Sequence, residues 1–145
     1  MKISTKGRYA LRMMIDIAEN EKNGSVSLKD ISKRQDISLK YLEQIVGLLT
    51  RAGFLKSRRG AGGGYILTKA PEKYTVGDIL RVTEGNLAPV ACLEEKDNLC
   101  PKAENCKAVK FWQGLYKVIN SYLDGTTLLE LIEDKWSNDN VGEFI

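Results

Sequence analysis

No histidine occurs among the 145 residues of the chain. The side chain most often used as general base and proton shuttle near neutral pH is therefore missing, and with it the Ser–His and Cys–His pairs that activate many nucleophiles. A zinc site that combines cysteine with histidine is excluded for the same reason. Cysteine is sparse too: there are three, an odd number, with no Cys-x-x-Cys pair among them. That argues against a disulfide framework and against a dithiol redox catalyst. No apolar run approaches the roughly 18 residues of a membrane span, and the opening MKISTKGRYA lacks the apolar core of a secretory signal. The expectation is a cytoplasmic protein that makes no membrane contact and is not an enzyme.

What is present is ordinary in total and uneven in distribution. With 43% hydrophobic and 28% charged residues, the composition is that of a globular domain, and the length suits one domain with an appendage. The formal net charge of +3 hides a division: residues 1–70 hold 14 Lys/Arg against 6 Asp/Glu, a net +8, whereas residues 71–145 hold 8 against 13, a net −5. A basic half can be a merely solvated face. It also suits a polyanionic partner bound partly by counterion release.

The basic half contains SLKDISKRQDISLKYLEQIVGLLTRAGFLKSRRGAGGGYILT, residues 27–68. Ser27 ahead of Leu28 and Ile31, with Asp30 three residues on, predicts a helix start. A side-chain oxygen there caps the first N–H groups, and a carboxylate suits the positive end of the helix dipole. This helix runs to about Arg34. Ser38 repeats the device, and Leu39, Leu42, Ile45, Val46 and Leu49 recur at intervals of three and four as the buried stripe of a second helix. The connection, Gln35 to Ile37 with Ser38 as cap, has the length of a helix-turn-helix corner, whose second helix lies in the major groove of DNA. Lys40, Tyr41, Glu43, Gln44, Thr50 and Arg51 are left facing outward. Glutamine can pair with adenine, glutamate can accept from cytosine N4, and lysine can reach guanine or phosphate.

Gly53 predicts the end of this helix, and Phe54 to Ser57 and Tyr65 to Thr68 read as short strands around Arg58-Arg59-Gly60-Ala61-Gly62-Gly63-Gly64. The glycines let backbone approach backbone while the two arginines lead with positive charge. In a wing, such arginines enter or flank the minor groove. A nucleotide-phosphate loop is disfavoured, because no Gly-Lys-Ser/Thr follows and the loop closes on a strand rather than opening a helix. A helical hairpin with a flexible loop and no DNA role is the plainer alternative. The fold class expected is mainly α with a small β-hairpin wing, a winged helix-turn-helix. Its candidate DNA contacts are Ser38, Lys40, Tyr41, Glu43 and Gln44 on the helix, and Arg58, Arg59 and Gly60 on the wing.

Residues 5–21 predict a preceding helix, with Tyr9, Ala10, Met13, Met14, Ile17 and Ala18 on its apolar face; the methionines read as core filler. Its basic start, Lys2, Lys6 and Arg8, is within the reach of phosphates. Asn23-Gly24 turns the chain. Beyond the wing, Thr75 with Asp78 caps a helix that carries Val76, Ile79, Leu80 and Val82 and ends near Gly85. Residues 86–105 have two prolines and no periodicity, and a loop of that length is usually functional or disordered. From about Cys106 to Leu123, the residues Val109, Trp112, Leu115, Tyr116, Ile119, Tyr122 and Leu123 lie three and four apart on a long helix. Its aromatic surface suits a two-fold partner helix, and a dimer suits a helix-turn-helix that reads a palindromic duplex. Packing of that face back onto the N-terminal part is the alternative. A short helix starts at Thr126 or Thr127, and the polar tail from Trp136 is expected to fray.

Cys92, Cys100 and Cys106 share the long loop, with spacings of seven and five intervening residues. Zinc prefers closer cysteine knuckles, whereas three thiolates on a loop can wrap an iron–sulfur cluster that needs a fourth ligand. Glu94, Glu95, Asp97, Glu104 or a residue of a second chain could supply it. A thiol switch, zinc and incidental cysteines also remain open from spacing alone.

MKISTKGRYALR, ISLKYLEQ, RGAGGGYIL and TVGDILRVTEG, in this order, together resemble the Rrf-two family of bacterial transcription regulators, with its IscR, NsrR and CymR types. The resemblance extends to about Glu133. It implies a dimeric winged helix-turn-helix with a long dimerisation helix, in which Lys40, Tyr41, Glu43 and Gln44 match the recognition segment and Arg59 the wing. It also implies that Cys92, Cys100 and Cys106 stand where cluster-binding members carry their cysteines, with a 2Fe-2S cluster favoured over 4Fe-4S. The chain departs from the family at three places. Val109 stands where IscR-like members often have histidine, Arg8 stands where some nitric-oxide sensors have aspartate, and the first cysteine gap is seven residues rather than five. The organisation expected is a DNA-binding unit at 1–85, a sensor loop at 86–105, a dimerisation helix with a short C-terminal helix at 106–136, and a tail at 137–145. The function expected is repression of genes for cluster assembly, sulfur metabolism or stress responses, controlled by the cluster. A cysteine-metabolism repressor switched by thiol oxidation or a partner protein is the alternative.

Overall fold

The computed structural model describes residues 1–97 and 100–135; the tail expected from Trp136 onward lies outside the described residues. The chain runs α1 (Thr5–Asn20), α2 (Leu28–Gln35), α3 (Leu39–Arg51), β1 (Leu55–Arg58), β2 (Gly64–Leu67), α4 (Val76–Glu84), α5 (Val109–Gly125) and α6 (Leu128–Ile132). Local chemistry sets most of these starts. Ser27 and Ser38 accept from the N–H groups of Asp30 and Tyr41 at 3.1 and 3.2 Å, and Thr75 and Thr127 close capping boxes with Asp78 and Glu130. Each cap satisfies donors that the first helical turn leaves without a partner. Ser4, not anticipated from the sequence, caps α1 through Gly7. The corner between α2 and α3 bends at Asp36, whose φ of 52° lies in the left-handed region, a conformation that aspartate tolerates better than most residues.

Helix α1 is the spine of the core. Its Ala10, Met13, Met14 and Ile17 are fully buried against Ile31 of α2, Leu42, Ile45 and Leu49 of α3, Leu55 of β1, Ile79 of α4 and Leu128 of α6. Burial of each large aliphatic side chain stabilises by about 1.5–3 kcal/mol, so α1 fixes the helix-turn-helix and the hairpin on one body. Tyr74, also fully buried, ties the hairpin down. Its hydroxyl donates to the Phe54 carbonyl at 2.9 Å and accepts from the N–H groups of Thr68 and Lys69 at 3.0 Å.

The strands form an antiparallel pair with Leu55 opposite Leu67 and Arg58 opposite Gly64. Arg58 therefore belongs to the strand, and the turn proper is 59–63. The sequence placed Leu39 in the buried stripe, but it is 44% exposed, because the first residue of α3 overhangs the corner rather than facing α1. The long helix begins at Val109, not near Cys106, and runs through Gly125. The chain then returns to the start of α4, where Val76 N–H donates to the Thr126 carbonyl and Leu128 N–H to the Tyr74 carbonyl, both at 2.9 Å. Arg81 of α4 forks onto Asp124 of α5 at 2.7 and 3.1 Å and reaches Asn120 at 2.7 Å. The hydrogen bond to Asp124 raises the Arg81 pKa above its ordinary value. No helix among the described residues is long and apolar enough to cross a membrane.

Candidate DNA interface and cysteine loop

With Leu42, Ile45, Val46 and Leu49 turned inward, α3 presents Lys40, Glu43 and Gln44 to solvent along its first two turns. Ser38 is exposed, but its hydroxyl is already engaged as the cap of Tyr41 N–H. Tyr41 is half-buried rather than fully outward, standing edge-on to Tyr9 of α1 at 5.5 Å between ring centroids.

The wing lies beside this helix as a defined loop. Arg58, Arg59 and Gly60 are exposed, Gly63 N–H closes the turn on the Gly60 carbonyl at 2.8 Å, and Ser25 donates to the Gly62 carbonyl at 2.6 Å. Val26 pairs with Tyr65 through two backbone bonds of 2.9 and 2.8 Å, so the segment before α2 braces β2 from its far edge. The close approach requires glycine: a Cβ at Gly64 would stand 2.3 Å from the Val26 carbonyl oxygen. Gly64, the first residue of β2, thus serves tight backbone packing, whereas Gly60 and Gly62, both at positive φ, serve the turn.

A brace behind the corner, which no local sequence pattern announces, holds the end of α2 on α1. Asp16, 1% exposed on the apolar side of α1, accepts from Arg34 Nε at 3.0 Å, Arg34 Nη2 at 2.7 Å and Gln35 Nε2 at 3.0 Å. The hydrogen bond to Asp16 raises the Arg34 pKa above its ordinary value. One turn earlier, Arg12 Nε donates to Gln35 Oε1 at 3.1 Å, and Arg12 Nη2 donates to the Gln35 carbonyl. The signal available was an aspartate amid Met13, Met14 and Ile17, a buried acid that needs a paired base.

The cysteine loop reaches α5 through two short 3-10 turns, at Ala91–Leu93 and Ala103–Asn105. Cys92 and Cys106 are partly covered, Cys100 is exposed, and all three are thiols rather than disulfide sulfurs. Cys92 and Cys100 line one concavity of about 350 Å³ with Glu94, Glu95 and Asp97. Cys106 stands just ahead of α5, its carbonyl accepting from Val109 N–H. The sulfur-rich donor set is of the kind that holds iron–sulfur clusters. Among the described residues no three side chains of ligating type are already close enough to grip a metal ion, so binding would require the loop to draw together.

Helix α5 has two faces where one apolar stripe was expected. Tyr116 and Leu123 pack against Val76, Leu80 and Leu87, while Val109, Trp112 and Ile119 are half-buried on the same side. Phe111, Leu115, Val118 and Tyr122 form a second stripe open to solvent, with Phe111 and Val118 each 65% exposed. Leu115 and Tyr122 were expected on the first face; the backbone turns them to the second, together with Phe111 and Val118, which the sequence reading left out.

Residues 3–134 match the Rrf2 family, described as iron-dependent transcriptional regulators. The chain is 44% identical over 131 residues to the HTH-type transcriptional regulator CymR of Bacillus subtilis, covering 90% of this chain and 89% of that one. The solved structure of CymR, the global cysteine regulator of B. subtilis, superposes with a TM-score of 0.77 at 42% identity, covering 92% and 97% of the two chains. IscR of T. potens superposes at 0.75 with 39% identity, covering 93% and 88%. Its relatives are transcriptional regulators and not enzymes. With its helical body, two-stranded wing and near full-length likeness to these regulators, the chain belongs to the Rrf2 family of helix-turn-helix transcriptional regulators.

Proposed function

We propose that the protein is a cytoplasmic, homodimeric repressor that reads a palindromic operator, and that an iron–sulfur cluster on Cys92, Cys100 and Cys106 controls its hold on DNA. The observation that carries the cluster is the loop itself: three thiols within fifteen residues, two of them in one concavity with Glu94, Glu95 and Asp97. One of these carboxylates, Glu104 or a residue of the second subunit completes the ligand set, and a 2Fe-2S cluster is favoured. When bound, such a cluster supplies a centre whose charge and integrity respond to redox state or nitric oxide.

The chain's own residues do the rest. Gln44, Glu43 and Lys40 meet base edges in the major groove while Arg58, Arg59 and Gly60 lie along the minor groove and its phosphates. Ser38 and Tyr41 hold the start of the helix. The exposed stripe Phe111, Leu115, Val118 and Tyr122 meets its two-fold copy, which sets two recognition helices about 34 Å apart or a multiple of that. Because Cys106 directly precedes α5, ordering the 92–106 loop biases how that helix and the wings are held, which gives the two cluster states different DNA affinities.

A second reading, regulation of cysteine metabolism by thiol oxidation or a partner protein without a cluster, is favoured by the likeness to CymR and by thiols that are accessible and not yet gathered. Anaerobic reconstitution followed by visible absorption, iron and sulfide assay separates the two. A coloured protein with stoichiometric iron and sulfide supports the cluster; a colourless, iron-free protein refutes it. For the interface, Arg59→Ala is expected to weaken duplex binding and Gln44→Ala to relax preference at about one base pair, by roughly 1–3 kcal/mol. Unchanged mobility shifts for both would refute the assignment of helix and wing.

A further inference from the structure

We infer that Arg12, outside the helix-turn-helix, is a positioning residue for DNA reading: it sets the angle of the recognition helix by holding the corner on one side and the first turn of α3 on the other. The inference rests on the reading of α3 as the element that enters the major groove.

Arg12 lies exposed on α1, yet its guanidinium is engaged on two sides. Nε donates to Gln35 Oε1 at 3.1 Å and Nη2 to the Gln35 carbonyl. Gln35 is the last residue of α2, directly before the left-handed Asp36 on which the corner turns. The guanidinium carbon also sits 5.3 Å above the Tyr9 ring. Tyr9 in turn meets Tyr41 edge-on at 5.5 Å with an interplanar angle of 84°. Tyr41 is the residue whose N–H takes the Ser38 cap, so it marks the first turn of α3. One planar cation therefore touches the residue before the corner directly and the residue after it through a single ring.

This geometry asks for arginine in particular. Two acceptors of one residue are met by adjacent nitrogens of a rigid fork, and the flat face of the same group lies on an aromatic ring. Lysine carries the charge but can reproduce neither the fork nor the stacking. Asp16, one turn on, holds Gln35 Nε2 at 3.0 Å, so the α2 terminus is gripped by consecutive turns of α1. Base-edge contacts depend on placement within fractions of an ångström, and the Tyr9 ring carries the hold of Arg12 to the N-terminal turn of α3 at Tyr41. The rival role for an exposed arginine here is a direct bond to a DNA phosphate.

The test uses the full-length protein and a duplex of about 30 base pairs, long enough for two half-sites, selected by the wild-type protein from a randomised pool. Affinity for this duplex and for a scrambled one is measured by anisotropy over a range of KCl. Positioning predicts that Arg12→Ala and Arg12→Lys each lose roughly tenfold in affinity for the selected duplex. It also predicts a smaller loss on the scrambled duplex and an unchanged slope of log affinity against log salt. A phosphate contact predicts that Arg12→Lys binds like wild type, while Arg12→Ala loses affinity for both duplexes and flattens the slope by about 1.8, about 0.9 for each of the two protomers; that result overturns the inference. Tyr9→Leu removes the ring while leaving the Gln35 bonds: a loss of the same selective kind supports the route through Tyr41, and wild-type affinity overturns it. Gln44→Ala runs alongside. If it relaxes base preference while the Arg12 variants bind like wild type, the positioning role alone fails. If neither Gln44→Ala nor the Arg12 variants change discrimination, α3 is not the reading helix and both conclusions fall.

Discussion

Removing Arg34 is expected to cost the fold more than removing Asp16, although the two form one ion pair. The asymmetry follows from burial. The Asp16 side chain is 2% exposed and that of Arg34 is 40% exposed. In Arg34→Ala the carboxylate stays inside and, among the described residues, keeps the Gln35 amide as its side-chain donor, and a buried charge stripped of its partner costs about 3–5 kcal/mol. The remaining amide donor places this variant near about 3 kcal/mol. In Asp16→Ala the guanidinium turns to water, so the loss is that of solvent-screened hydrogen bonds and a small void, about 1–2 kcal/mol. The double variant should resemble Asp16→Ala, so the coupling in the cycle equals the cost of Arg34→Ala alone, about 3 kcal/mol. Domains of this size have about 5–15 kcal/mol in total, so all three variants remain folded. Urea denaturation at neutral pH measures the cycle, provided the slopes agree with wild type. The hydrogen bond that Arg34 donates to Asp16 keeps the Arg34 pKa above its ordinary value, so Arg34 stays charged throughout the measurement. If Arg34→Ala costs no more than Asp16→Ala, the carboxylate is not held in a water-poor site and the reasoning fails.

Other perturbations follow from single contacts. Gly64→Ala must push Val26 away and open the two backbone bonds between Val26 and Tyr65, at about 2 kcal/mol in all; faster amide exchange at Tyr65 together with weaker duplex binding is the expected signature, and an unchanged Tyr65 amide would contradict it. Thr127→Ala should cost about 1 kcal/mol through the lost α6 cap, read from the shift in urea midpoint. The N–H and hydroxyl of Thr127 hold the Glu130 pKa below the usual glutamate value. A depressed carboxylate contributes stability above its unfolded pKa and loses it as pH falls through the folded one. The wild type should therefore lose this increment at the acid end, below about pH 4, while Glu130→Gln shows a flatter acid limb; equal limbs would contradict the cap.

Much of the fold was legible because its signals are local. Ser27, Ser38 and Thr75 announce helix starts within four residues of themselves, and Gly53 and the glycine cluster announce a stop and a tight hairpin. The Asp16 to Arg34 pair spans eighteen positions and two helices, and no local pattern encodes it; only the presence of an acid among apolar neighbours hinted at a partner. Leu39 misled because a helix's first residue fits the period without having a turn above it to bury it. On α5 the positions 111, 115, 118 and 122 obey the same three-and-four spacing as 109, 112, 116 and 119, so periodicity found a helix but could not divide its apolar residues between an inner and an outer face. Of the candidate site, the exposed positions on α3 and the wing were readable as residue types. Their support from Arg12, Tyr9 and Ser25 was not, since it comes from elements distant in sequence.

The most direct test of the account is a single titration performed twice without oxygen. The selected duplex is bound by one preparation of the full-length protein carrying its cluster, and by the same preparation after the iron has been removed by a chelator and the thiols kept reduced. Control by the cluster predicts that the two affinities differ by about tenfold or more, a coupling of at least about 1.4 kcal/mol, and that the difference vanishes when Cys92, Cys100 and Cys106 are all serine. Equal affinities for a protein shown to gain and lose its iron and sulfide would contradict it.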